Sequence, residues 1–142
     1  MLDFIRMLLF ASLVELTPEP ISINQQIELR LDAPVTAITP EPMLEIRVPA
    51  LDLRGISPLD VPELVKSQFG HAGIVADLCD VDSGECFEFS FMGHYVQDKQ
   101  GVKLLIEPVV PVSTRAKFDF VRISTDTELE SVSVYWKNSG KK

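Results

Sequence analysis

In the C-terminal run 131–137, Val132, Val134 and Trp136 share one parity, while Ser131, Ser133, Tyr135 and Lys137 share the other. Alternation of period two between β-branched or aromatic residues and polar ones marks a strand with one buried face. Most of the chain repeats this pattern. In 21–31, Ile27, Leu29 and Leu31 alternate with Glu28 and Arg30. In 43–48, Leu44, Ile46 and Val48 alternate with Glu45 and Arg47. The runs 73–79 and 86–92 flank a polar turn and predict a hairpin, with Phe87, Phe89 and Phe91 on one side. A mostly apolar strand over 102–107 is closed by Pro108. In 118–125, Phe118 and Phe120 have the opposite parity to Val121 and Ile123, which predicts a bulge or burial on both faces.

One segment departs from period two. Over 58–69, Val61, Leu64, Val65 and Phe69 recur at helical spacing. Asp60 with Glu63 forms a capping-box signature, Pro62 sits in the first turn, and Gly70 supplies a stop. The expected role of this helix is a plug over one open end of a β fold. Short strands punctuated by Pro and Gly indicate an all-β, antiparallel sandwich, jelly-roll-like, of about eight strands. The C-terminal strands resemble those of jelly-roll and galactose-binding-like sandwiches. That likeness is one of fold and carries no function with it.

Thr17-Pro18-Glu19-Pro20 recurs as Thr39-Pro40-Glu41-Pro42, each copy ahead of an apolar strand. The two copies read as stiff connectors, since Pro interrupts strands and blocks edge pairing.

The length of 142 residues fits one domain, 17–138, with an apolar segment 1–16 before it and a basic tail 139–142 after it. Thirteen Lys and Arg stand against 21 Asp and Glu, a formal charge of −8. So acidic a chain is a poor ligand for nucleic acid, which needs clustered cations. The segment 2–16 is apolar all round, which places it in a core, an interface or a membrane. Its uncharged stretch 7–14 is far shorter than the roughly 20 residues of a spanning helix. Three roles fit it: an integral element of the fold, an export or anchor segment, or the remainder of a signal that begins upstream. As part of an interface it would present Leu2, Phe4, Ile5, Leu8, Leu9 and Phe10. The compartment, cytoplasmic or exported, depends on which role holds, and so does any membrane association.

Cys79 and Cys86 bracket the predicted turn. A two-residue loop would set them opposite each other, able to bridge; a bulge at Gly84 would slip the register and separate them. A bridge would imply an oxidising compartment.

Catalytic and metal signatures are weak. Asp80, Asp82 and Gly84 superficially follow an EF-hand loop, but Glu85 stands where Gly is required and Phe91 where the last Glu is required. His71, His94, Cys79 and Cys86 have no zinc spacing. There is no Gly-x-Ser-x-Gly elbow and no phosphate loop. The reading is therefore no catalytic residue, no metal and no cofactor. The expected function is a non-enzymatic interaction or structural module that docks on a protein partner or a second copy. The alternative is a carbohydrate-binding module of an exported protein, with Tyr135 as the ring that stacks on a sugar. An enzyme would gain ground if His71 or His94 lay in a pocket within hydrogen-bond reach of a carboxylate.

Overall fold

The computed structural model describes residues 13–48, 57, 59–70, 73–98 and 101–138. The expected interface residues Leu2, Phe4, Ile5, Leu8, Leu9 and Phe10 lie outside the described residues, as does His71. The strands are β1 (Leu13–Glu15), β2 (Ile21–Ile23), β3 (Gln26–Thr36), β4 (Met43–Val48), β5 (Val75–Cys79), β6 (Cys86–Asp98), β7 (Gly101–Pro108), β8 (Lys117–Ser124) and β9 (Leu129–Lys137). Among the described residues one helix, α1 (Val61–Phe69), lies between β4 and β5.

The strand pairs nest. β5 pairs with β6, β4 with β7, β3 with β8 and β2 with β9, all antiparallel. That is the pairing of a long hairpin folded over on itself, a jelly roll. Further pairs β4·β9 and β5·β8 divide these strands into two sheets, β2-β9-β4-β7 and β3-β8-β5-β6. β1 adds to the β9 edge beyond β2 and aligns Val14 with Trp136.

The two sheets are joined along both sides into a nearly closed barrel. On one side β6 spans both sheets, pairing with β5 and then with β7. It bends where its register shifts between Phe91 and Tyr95, and Gly93 there has φ 95°. A left-handed φ at such a bulge favours glycine. On the other side the chain turns directly from β2 into β3. The buried Asn138 reaches across the far end of that side. Its Oδ1 accepts from Ile38 N and its Nδ2 donates to Thr36 O, both at 3.0 Å.

Period-two parity sends Leu44, Ile46, Phe89, Val132, Val134 and Trp136 into the core, each fully buried. Trp136 of one sheet meets Phe89 and Phe118 of the other, with ring centroids 6.5 and 5.7 Å apart. Such tilted pairs add about 0.5–1.5 kcal/mol each to the burial of their area.

Three local expectations are corrected. The run 21–31 is two strands, because Gln25 takes φ 75° and turns the chain from one sheet to the other. The helix starts at Val61, and its capping box does not form. Asp60 has α-region dihedrals rather than the extended ones of a capping residue, and its side chain makes no capping hydrogen bond. Ser57 holds the entry instead: its carbonyl accepts from Asp60 N and its Oγ from Leu59 N. The helix does stop at Gly70, as expected, but Gly70 caps it with φ −60° rather than in the left-handed region. Val61, Val65 and Phe69 join the core, while Leu64 is half-buried.

The change of parity in β8 has a visible cause. Residues between Arg30 and Val35 of β3 bulge opposite Asp119, and Phe120 turns to the outer face. There its ring lies under Arg30 and Arg122, at 4.8 and 5.9 Å.

Candidate functional site

The outer face of β9-β4-β7, continued onto the second half of β6, gathers the chain's unusual side chains. Parity alone puts Glu45 on this face, yet it is only 3 % exposed. A buried carboxylate must be paired, and this one is paired twice. Arg47 Nη2 lies 3.5 Å from its Oε1 and Lys137 Nζ lies 3.4 Å from its Oε2. The register explains the gathering, since Glu45 sits opposite Tyr135 on β9 and Leu105 on β7.

Tyr135 belongs to this network. The Arg47 guanidinium lies 3.7 Å from the centre of its ring, and its hydroxyl donates to Glu15 Oε2 at 3.2 Å. One face of the ring is thus covered by a cation from its own chain.

Across β7 the face changes character. Met92, exposed on the bulge of β6, stands beside the turn that follows β7. That turn carries Val109 and Val110, each about half exposed, between Pro108 and Pro111. With Glu41, Met43, Glu107 and the two prolines they line a cleft of about 210 Å³. Its walls are anchored. Val109 N donates to Glu88 O at 2.9 Å, and Val112 N donates to Pro40 O at 2.8 Å. The second bond ties the turn to the Thr39–Pro42 connector that supplies Glu41.

At the rim, His94 Nδ1 and Glu107 Oε1 are directly hydrogen-bonded. The Met92-Gly93-His94 bulge falls opposite Leu105, between the pairs Phe91–Ile106 and Tyr95–Leu104, and Glu107 pairs with Ser90 just before it. The His94 side chain is 64 % exposed.

The hairpin tip lies elsewhere, and it is a structural device. Val81–Gly84 form the loop, Asp80 N donates to Glu85 O, and Cys79 sits opposite Cys86. The two cysteines form a disulfide. Asp80, not Asp82, organises the turn: it accepts from Ser83 Oγ at 2.8 Å and from Lys117 N at 3.0 Å. The Lys117 N–H, then the Ser83 hydroxyl, hold its carboxyl below the ordinary carboxylate value. Its oxygens are engaged by these donors. Among the described residues there is no group of three or more His, Cys, Asp or Glu side chains arranged to hold a metal ion. Among them, too, no helix is long and apolar enough to cross a membrane.

No family model, curated protein or solved structure matches this chain.

The cleft escapes a reading of the chain by segments because its lining comes from three of them, around residues 41, 92 and 109. One signal does exist in the sequence. Val109-Val110 is an apolar pair caught between two prolines, where no strand can bury it.

Proposed function

We propose that this chain is a non-enzymatic interaction module that seats a segment of a partner protein in the outer cleft between β4, β6 and the turn after β7. The observation that carries the reading is the exposure of Met92, Val109 and Val110 around a single anchored depression. Contiguous exposed apolar surface around a cleft is characteristic of interaction sites. The volume narrows the class. Small-molecule sites are typically about 300–1,000 Å³, whereas about 210 Å³ takes one bulky side chain. A side chain delivered on a partner fits; a cofactor does not.

The His94–Glu107 contact is the kind of pair that acid–base catalysis uses. Its His94 side is largely exposed, and the lining of the cleft contains no Ser, Thr, Cys or Lys to act as a nucleophile. The interaction reading is therefore preferred to an enzymatic one. The carbohydrate alternative rests on Tyr135, and a sugar on its guarded face would have to displace Arg47. A second copy of this chain is one partner the cleft could take, and sedimentation velocity at increasing concentration separates that outcome from a foreign partner.

The test is selection of a displayed random-peptide library on the folded protein, followed by titration against Val110→Asp and Met92→Asp. Both residues are half exposed, so the variants keep the fold. Peptides that lose about tenfold or more in affinity, roughly 1.4 kcal/mol, support the reading. A selection that yields no peptide sensitive to either substitution overturns it.

A further inference from the structure

We infer that the segment seated in the cleft is cationic as well as apolar: one bulky apolar side chain fills the depression, and an adjacent Lys or Arg reaches Glu41 and Glu107. This rests on the interaction reading above and adds the partner's chemistry to it.

Two carboxylates on the barrel are matched by cations of the same chain. Glu45 has Arg47 and Lys137, and Glu28 has Arg122 at 3.4 Å. The cleft is different. Its lining holds two carboxylates and no Lys or Arg. Glu41 has no ion-pair partner among the described residues. Among the described residues, the ion-pair partner of Glu107 is His94, which is charged only when protonated. Two carboxylates beside exposed apolar side chains favour a cation whose stem is apolar, and Lys and Arg lay such stems along apolar surface while the head stays at the rim.

The field of the whole molecule acts in the same direction. At a formal charge of −8 the protein repels phosphate, nucleic acid and anionic lipid, and speeds the encounter with cationic segments. The geometry is also set in advance. Backbone bonds from Val109 and Val112 hold the turn, and prolines at both ends stiffen it. Little ordering is then needed on the protein side when a segment docks.

The experiment uses peptides recovered from the display selection and measures fluorescence anisotropy against the full chain. Each peptide is compared with a twin whose basic residues are replaced by Gln. Glu41→Gln and Glu41→Lys are the informative protein variants, since Glu41 is exposed and its loss breaks no ion pair within the described residues. The expected result has three parts. The Gln twins bind several-fold more weakly. Glu41→Lys weakens the basic peptides about tenfold or more. Binding of the basic peptides falls as salt is raised. Partial recovery of Glu41→Lys by peptides carrying Glu in place of the basic residue would complete the charge swap. If cleft-dependent peptides bind equally with or without basic residues and ignore Glu41→Lys, the cationic assignment is wrong while the interaction reading survives. If no peptide depends on Val110 or Met92 at all, both fall together.

Discussion

Asn138 offers the sharpest test of how the barrel is closed. It is 3 % exposed and joins parts of the chain 100 and 102 residues away in sequence. Asn138→Ala removes two hydrogen bonds at once. A net value of about 1 kcal/mol for each gives about 2 kcal/mol. The Thr36 carbonyl, half-buried, loses its donor, while Ile38, 45 % exposed, recovers part of its loss from water. In a domain of this size that is a fall in Tm of about 4–8 °C. Urea denaturation should show a lower midpoint at unchanged slope, because the native surface is nearly the same. Asn138→Asp is the control. It keeps an acceptor for Ile38 N but turns an oxygen toward Thr36 O, so it should cost at least as much as the Ala variant. If Asn138→Ala lies within about 0.5 kcal/mol of the parent, an ordinary surface effect, then Asn138 does not clamp the barrel.

Three further outcomes follow from the same structure. Replacing Cys79 and Cys86 by Ser should lower the urea midpoint by an amount equivalent to about 2 kcal/mol, the chain-entropy value for so short a loop; an unmoved midpoint would show that the turn bonds of Asp80 suffice. Because the Asp80 pKa is lowered in the folded state, its contribution is complete above the ordinary carboxylate value and drains away as pH falls through the folded one. The Tm gap between the parent and Asp80→Asn should therefore close in acid, and a gap independent of pH would contradict that origin. Trp136→Ala should cost about 3–5 kcal/mol, and Trp136→Phe clearly less, since the indole Nε1 is buried with no hydrogen-bond partner to lose; equal losses in denaturation would refute this.

What could be read along the chain was whatever period two decides locally. Val132, Val134 and Trp136 declared one face of β9, and the structure buries all three completely. Phe87 and Phe89 did the same for β6. The jelly-roll class was legible because enough short strands repeat the pattern between Pro and Gly. The break at Gln25 was not, because a left-handed Gln has no signal in composition and is imposed by the need to pass from one sheet to the other. The failed capping box at Asp60 shows the same limit: the motif was present, and the backbone dihedral removed its geometry. Tyr135 was correctly assigned to the outer face by parity, but its Arg47 partner sits on a strand about ninety positions earlier in the chain. Glu45 was assigned outward on the same rule and is nonetheless buried, because its cover comes from neighbouring strands. The cleft was out of reach for the same reason. It exists only once β4, β6 and the turn after β7 have met.

The most direct measurement of the central claim is site-specific photo-crosslinking. A photoreactive residue at Val110 or Met92 is compared with one at Val81 on the hairpin tip, which is equally exposed but distant in the fold. The account predicts that a selected peptide crosslinks from Val110 and Met92 and not from Val81. Crosslinking at Val81 with none at the cleft would contradict it.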